Sequence, residues 1–135
     1  MVHQSVIQLR FRDTDGMGHV NNAVYATYLE YARFDWFRTH FAVENLTDFP
    51  FILARVEIDY RHSIPVNAQP VVSLWVTDIG ASSWTFAYKI HDLSDPSVLY
   101  AEGKSVQVAF NYKTGKKEPL ASELREILEQ ETSEE

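Results

Sequence analysis

Residues 23–41 of the chain, AVYATYLEYARFDWFRTHF, decide its fold. The stretch contains neither Gly nor Pro, and apolar side chains recur on one face at helical spacing: Tyr25, Leu29, Ala32 and Trp36. Further aromatic side chains occupy its other faces: Tyr28, Tyr31, Phe34 and Phe37. Because a helix that is apolar on nearly every face is buried on most sides, we predict a long central helix here. Asn21 or Asn22 is the expected N-cap of this helix.

Strand patterns flank the helix on both sides. Five segments have the composition and alternation of strands: 4–11, 52–62, 69–80, 82–92 and 98–112. The last strand is expected to bend at Gly103, and Ser122 is expected to open a short amphipathic helix over 122–130. Strands with one apolar face need a cover, which the long helix can provide. We therefore predict an α+β fold in which one antiparallel five-stranded sheet wraps around the helix.

Length and composition predict a single domain over residues 1–135, with a frayed tail at 131–135. The absence of cysteine excludes disulfides, thiolate metal sites and a Cys nucleophile. The N-terminus lacks the pattern of a signal peptide, and no apolar stretch approaches membrane-spanning length, so the cytoplasm is the expected location. The formal net charge of −7 argues against general nucleic-acid binding. Neither a membrane nor a nucleic acid is an expected partner.

The loop before the long helix carries the residues best suited to chemistry. Its sequence over 13–22, DTDGMGHVNN, contains two carboxylates, two glycines, an imidazole and two amides. A helix N-terminus exposes unpaired N–H groups that can polarise a carbonyl. A carboxylate beside them can act as a nucleophile or as a general base on water. Each residue also has a purely structural interpretation as a cap or turn residue, and the spacing alone leaves both interpretations open.

The stretch RFRDTDGMGHVNNAVYATYLEYAR, residues 10–33, resembles the signature of the 4-hydroxybenzoyl-CoA thioesterase family. The matching positions are Asp13, Asp15, Gly18, Tyr25, Glu30, Ala32 and Arg33. The run 19–22, His-Val-Asn-Asn, is also similar to a motif of plant acyl-ACP thioesterases, and the resemblance continues over nearly the whole chain. It implies a hotdog fold and an acyl-CoA thioesterase that hydrolyses a fatty or aromatic acyl-CoA to free acid and CoA.

The same resemblance implies roles for individual residues. Asp15 would be the catalytic carboxylate, as nucleophile or general base, with His19 as its helper. The backbone near Gly18, Asn21 and Asn22 would polarise the thioester, and Tyr25 would line the acyl pocket. No cofactor is expected. The family forms homodimers and homotetramers with the site between subunits, so residues 59–63 of a second chain would complete it.

The remaining interpretations concern substrate binding and helix structure. Coenzyme A needs cations for its phosphates, for which Arg61 is a candidate, and its pantetheine arm could meet the turn at Ser82 and Ser83. Acyl carrier protein is as compatible with the sequence as coenzyme A. Glu30 and Arg33 lie three residues apart on the helix and would form a structural ion pair.

Three other functions stand as alternatives to thioester hydrolysis. A hotdog hydratase or dehydratase would also use an Asp and a His, facing the carbons next to a thioester. A non-catalytic acyl-CoA or acyl-carrier binding module would keep the fold without turnover, because fold does not fix function. A metal hydrolase is the least supported, since the five histidines show no ligand spacing such as H-x-x-x-H.

Overall fold

The computed structural model describes residues 2–43 and 49–132. Its elements in chain order are β1 His3–Val6, a 3₁₀ turn Phe11–Asp13, α1 Val24–His40, β2 Phe51–Tyr60, β3 Pro70–Ile79, β4 Ser83–Asp92, β5 Leu99–Asn111, β6 Lys116–Lys117 and α2 Ser122–Glu131. The strands pair antiparallel in the order β1-β3-β4-β5-β2, and the two-residue β6 pairs with β5. The predicted five-stranded antiparallel sheet with one long helix is confirmed, although β1 has only four residues and β6 adds a short sixth strand.

Helix α1 packs one face against the sheet. Its buried apolar residues are Tyr25, Tyr28, Leu29, Ala32, Trp36 and Phe37. The Trp36 ring meets the Phe86 ring of β4 edge-on at 5.1 Å between centroids, and burying such aromatic side chains is a main source of core stability. Burial on most faces was predicted, yet Tyr31 is exposed because the sheet covers one side only. No helix of the described residues is long and apolar enough to cross a membrane.

The burial of side chains differs from strand to strand in a way that simple alternation of apolar and polar residues does not predict. The first seven residues of β3 are all buried, including the predicted outward positions Ser73 and Trp75. In strand β2, by contrast, most residues are exposed. The exposed residues include the apolar Ile52, Leu53 and Val56. The reason is the position of the helices: α1 and α2 both pack against β3, whereas the main contacts of β2 are with β5 alone, at the open edge of the sheet.

Several predicted element ends lie elsewhere in the structure. The strand predicted over 4–11 ends at Val6, after which the chain turns towards the 3₁₀ turn. The N-cap of α1 is Ala23, not Asn21 or Asn22. Helix α2 begins at Ser122 as predicted, with Ala121 as its N-cap. Helix α2 includes a buried Glu131, and Thr132 forms a bridge to β3, so a tail frayed from 131 is wrong for these two residues. Residues 133–135 lie outside the described residues.

Gly103 does not interrupt β5, which continues from Leu99 to Asn111. A Cβ atom at this position would collide with the backbone carbonyl of Glu57 in the neighbouring β2. Glycine therefore permits close approach of two strands here, and a bend at Gly103 stays a prediction.

Arg33 and Glu30 do not pair, contrary to the expectation for their spacing. Arg33 lies on the buried face of α1, and its Nη1 donates to the Tyr88 hydroxyl at 3.2 Å. Glu30 lies on the exposed face, and no ion pair among the described residues joins the two. Positions three apart can still fall on different sides of the boundary between core and solvent.

Candidate functional site

The loop before α1 is a short, well-bonded hairpin. Thr14 and Val20 pair as an antiparallel bridge, and the Asp15 N–H donates to the His19 carbonyl at 2.8 Å. Gly18 has φ of 81°, a left-handed conformation that favours glycine. The hairpin is attached to the segment after β2, because Val20 N–H donates to the Ile64 carbonyl at 2.8 Å. These bonds fix where the loop presents its side chains.

The Asp15 carboxylate is exposed, and one of its two oxygens accepts hydrogen bonds from the described residues. Its Oδ1 accepts from the Met17 N–H at 2.8 Å and from the His19 N–H at 3.4 Å, which closes the turn. Its Oδ2 accepts no hydrogen bond from any described residue. The turn interpretation and the catalytic interpretation are therefore compatible, because one oxygen holds the loop and the other is available to a ligand.

Asp13, two residues earlier, has a different environment. It is 2% exposed, and its carboxylate accepts from the Arg10 N–H at 3.0 Å, the Arg10 Nη2 at 3.2 Å and the Tyr28 hydroxyl at 2.9 Å. Burial raises the pKa of Asp13, but the hydrogen bonds from Arg10 and Tyr28 outweigh that effect, so the pKa lies below its ordinary value. Asp13 ties the 3₁₀ turn to α1 and has no free oxygen for chemistry.

Replacing Asp13 with Asn should lower the free energy of unfolding by about 2 kcal/mol at pH 7, as expected when charged hydrogen bonds are lost in a buried site. The lowered pKa means that the carboxylate stabilises the fold above its unfolded value of 3.8 and loses that contribution as the pH falls through the folded value. Urea unfolding at pH 7 and pH 3 measures both effects. The variant should lose less stability on acidification than the wild type, and an equal loss would contradict this assignment.

Hydrogen bonds close the turn at the start of α1 without using the Asn22 N–H. Asn21 Oδ1 accepts from the Ala23 N–H at 2.9 Å, and the Asn21 carbonyl accepts from the Val24 N–H at 2.9 Å. The Asn22 carbonyl accepts from the Tyr25 N–H at 3.4 Å and from the Tyr60 hydroxyl at 3.1 Å. The Asn22 N–H has no partner among the described residues. A free N–H at a helix start is a donor suited to a developing negative charge.

Tyr25 is 1% exposed and uses its hydroxyl within the fold. It donates to the His62 carbonyl at 3.2 Å, and its ring meets the Tyr60 ring edge-on at 4.9 Å. Burial raises the pKa of the Tyr25 hydroxyl. Its contribution to an acyl pocket stays a prediction. Tyr60 and His62, which belong to the segment expected from a second chain, contact the helix start of their own chain.

The other predicted residues are placed as follows. The His19 side chain is exposed and makes no described hydrogen bond to the Asp15 carboxylate. Arg61 is exposed, and its Nε donates to Glu102 at 3.0 Å. Ser82 and Ser83 lie at the β3–β4 turn, where the Ser82 carbonyl accepts from the Ala109 N–H at 2.8 Å.

The site residues fall at two ends of the sheet. The β3–β4 turn lies near the start of β2, since Ala109 pairs with Phe51. The Asp15 loop lies at the other end of β2, where Tyr60 contacts Asn22. One chain therefore does not bring the predicted pantetheine contacts to the predicted carboxylate.

The surroundings of Asp15 are open in the isolated chain. A cavity of about 370 Å³ lies between residues 6–10 and α1, with Asp13 and Tyr28 in its wall, but Asp15 does not line it. Within residues 2–43 and 49–132, no group of three or more His, Asp or Glu side chains is arranged to hold a metal ion. The sequence placed Tyr60 only within the segment 59–63 expected from a second chain, and its contact with Asn22 of its own chain was not predicted.

Known proteins share the sequence pattern of this chain over nearly its whole length. A family model described as the thioesterase-like superfamily matches residues 9–128. The long-chain acyl-CoA thioesterase FadM of Escherichia coli (strain K12) is 28% identical over 129 residues, covering 94% of this chain and 97% of FadM.

Two solved structures have the same fold. A predicted thioesterase from Bacillus stearothermophilus has a TM-score of 0.90 at 28% identity, covering 100% of this chain and 99% of that one. A thioesterase from Thermus thermophilus, complexed with coenzyme A and Zn, has a TM-score of 0.81 at 30% identity, covering 93% of this chain and 95% of that one. The predicted α+β hotdog fold is confirmed.

Proposed function

The chain belongs to the thioesterase-like superfamily, and from that premise we propose that it hydrolyses acyl-CoA thioesters with Asp15 as the catalytic carboxylate. Acyl-CoA hydrolysis is the activity in the name of FadM, which matches nearly the full length of this chain. The residue assignment is supported by the Oδ2 of Asp15, which accepts no hydrogen bond within residues 2–43 and 49–132, whereas both oxygens of the neighbouring Asp13 accept one.

The reaction needs a group that attacks the thioester carbon and a donor that stabilises the resulting oxyanion. As a nucleophile, Asp15 bonds to the carbonyl carbon, the C–S bond breaks, and the thiolate of CoA leaves. Water then hydrolyses the acyl–aspartyl anhydride, which releases the acid and restores the carboxylate. As a general base, Asp15 takes a proton from water as the oxygen of that water attacks, and the proton passes to the leaving thiolate. Both routes share the same overall balance.

The Asn22 N–H is our candidate for the oxyanion donor. It has no partner in the described part of the chain and belongs to the last residue before the N-cap of α1, where the partial positive charge of the helix start adds to its effect. One such donor contributes about 10²–10³ in rate in known acyl-transfer sites. The Gly18 N–H, also without a described partner, is the second candidate in the loop.

A second copy of the chain completes the site in this proposal. Strand β2 is an open edge of ten residues with exposed apolar side chains, and such edges favour pairing with another strand. Antiparallel pairing of two β2 strands about a two-fold axis places the start of one beside the end of the other. The β3–β4 turn of the second copy, with its Ser82 and Ser83, then lies on the side of the Asp15 loop. A homotetramer would be a pair of such dimers.

Product analysis separates this function from its alternatives. The dimer is incubated with saturated and 2-enoyl acyl-CoAs, and the products are identified by mass spectrometry. Free acid and CoA in equal amounts support hydrolysis. Hydration of the enoyl-CoA without CoA release would support a hydratase instead, and unchanged but bound acyl-CoA would support a binding module. The same assay with the acyl group on acyl carrier protein shows whether the protein accepts that carrier as well as coenzyme A.

The cytoplasmic location stays a prediction.

A further inference from the structure

Helix α1 contacts β2 near the two ends of the strand. The Tyr25 ring meets the Tyr60 ring at 4.9 Å between centroids, and the Phe37 ring meets the Phe51 ring at 5.6 Å. The main contacts of α1 with the sheet are with β3 and β1 instead. Between the two ring contacts, Val56 of β2 is 39% exposed. The helix therefore leaves the middle of β2 uncovered.

Arg33 lies beside this uncovered stretch. It comes four residues before Phe37 and is on the same flank of the helix. Its Nη1 donates to the Tyr88 hydroxyl of β4, which is hydrogen-bonded in turn to Ser105 of β5. Ser105 is the cross-strand partner of Val56, and such partners share one face of the sheet. We refer to the space between the Arg33 flank of α1 and Val56 as the α1–β2 groove.

The polar groups around Arg33 are neutral. Burial raises the pKa of the Tyr88 hydroxyl, so this group keeps its proton at pH 7. Ser105 donates to the Gln107 Oε1, and the Gln107 Nε2 donates to the Trp84 carbonyl. Among the described residues, Arg33 forms no ion pair and no hydrogen bond except the one to Tyr88. Because a guanidinium has about five N–H donors, most of them are left for a ligand.

The unbonded nitrogens of Arg33 remain accessible. In the part of the chain that the structure describes, the one fully enclosed polar side-chain atom without a hydrogen-bond partner is Trp84 Nε1. The unbonded Arg33 nitrogens therefore reach the surface, although the residue as a whole is 5% exposed. A buried charge without a partner is unfavourable, since burial removes hydration and nothing replaces it. A carboxylate would supply both the opposite charge and acceptors that match the planar guanidinium.

We propose that the α1–β2 groove binds the acyl chain of the substrate and that Arg33 binds a carboxylate at the far end of that chain. This proposal rests on the proposed function and specifies its substrate class as the CoA thioester of a dicarboxylic acid. Tyr60 lies beside the Asp15 loop, and Val56 precedes it on β2 by about 13 Å, at about 3.3 Å per residue. An acyl chain of that length places its thioester at the Asp15 loop and its carboxylate at Arg33.

The first test uses the wild type alone. Acyl-CoAs of equal chain length are compared in pairs, one ending in a methyl group and the other in a carboxylate. The carboxylate-ended member should have a kcat/KM about 10- to 100-fold higher, as expected for hydrogen bonds between charged groups. The preference should be largest for the chain that spans about 13 Å and should fall for shorter chains. Equal kcat/KM values at every length would overturn the proposal and leave the proposed function standing.

The second test compares Arg33→Met with Arg38→Met as a matched control. Met keeps a long unbranched side chain and removes the charge, so Arg33→Met should reverse the preference towards the methyl-ended chain. Arg38 lies on the same helix, but its side chain is 51% exposed and pairs with Asp35, so Arg38→Met should keep the wild-type preference. A carboxylate preference that survives in Arg33→Met would overturn the proposal.

Arg33→Lys covers the case in which the Met variant does not fold. Lys keeps the charge and loses the planar pair of donors, so the carboxylate preference should fall several-fold without disappearing. A preference equal to that of the wild type would contradict binding of the carboxylate by the guanidinium. The melting temperature of each variant is measured beside its kinetics.

Binding separates this site from turnover. Thioether analogues of the paired acyl-CoAs cannot be hydrolysed, and their Kd values are measured by calorimetry. The wild type should bind the carboxylate-ended analogue more tightly, and Arg33→Met should lose that difference. Equal binding of both analogues by the wild type would overturn the proposal. A wild type that releases CoA from neither class of substrate would overturn the proposed function, whereas the same difference in Kd would still support the Arg33 site.

Discussion

The Asp15→Asn variant should fold like the wild type and lose nearly all turnover. Asn keeps an oxygen that can accept the Met17 N–H, which holds the loop at 2.8 Å. It removes the charge and the basicity that either route of hydrolysis requires. We expect kcat to fall about 10³-fold, in the range found when a general base is lost, with the free energy of unfolding changed by less than about 0.5 kcal/mol. Steady-state thiol release and urea unfolding measure the two quantities.

Asp95→Asn is the matched control for this variant. Asp95 also closes a turn by accepting an N–H two residues ahead, from Ser97 at 3.1 Å, but it lies in the β4–β5 connection. Its replacement should leave kcat unchanged. An Asp15→Asn variant with a rate close to that of Asp95→Asn would show that Asp15 is a turn residue only.

The second large effect concerns the open edge of the sheet. Val56→Asp places a charge in the middle of β2, where the wild-type side chain is 39% exposed, so the single chain should still fold. If two β2 strands pair, the charges of two copies face a shared apolar interface, and the dimer should dissociate. Activity should fall by about 100-fold or more, since a site that lacks its second half cannot position the substrate. Light scattering and thiol release are measured on the same sample.

Leu93→Asp is the control for the edge variant. Leu93 is an exposed apolar residue just after β4 and does not lie on β2. The same change there should leave both mass and rate at their wild-type values. A monomeric wild-type chain with full activity would contradict the proposed shared site.

Helix and strands were predictable because their patterns are local. Helix α1 was placed within one residue at each end, since Val24–His40 contains neither Gly nor Pro and repeats its apolar face with helical spacing. Strands β3, β4 and β5 were recovered from apolar runs between turn residues. The exposure of β2 was not predictable, because the sequence of a strand does not state which strand the helices will cover.

The site was predictable in its location and less so in its details. The loop composition pointed to Asp13 and Asp15 together, and spacing could not separate them. Hydrogen bonding separates them in the structure: Asp13 accepts from three donors of Arg10 and Tyr28, whereas Asp15 Oδ2 accepts from none of the residues that the structure describes. The Tyr60 contact joins positions 38 apart, and no periodicity in a sequence signals a bond of that range.

The most direct measurement is a single turnover with the protein in excess over a long-chain acyl-CoA, quenched at short times and assayed for free CoA. Under these conditions the observed rate excludes product release and reports the chemical step of the bound thioester. The wild type should release CoA in its first turnover, and Asp15→Asn should bind the same acyl-CoA yet release CoA about 10³-fold more slowly. Release at the same first-turnover rate from both proteins would contradict the assignment of the chemistry to Asp15.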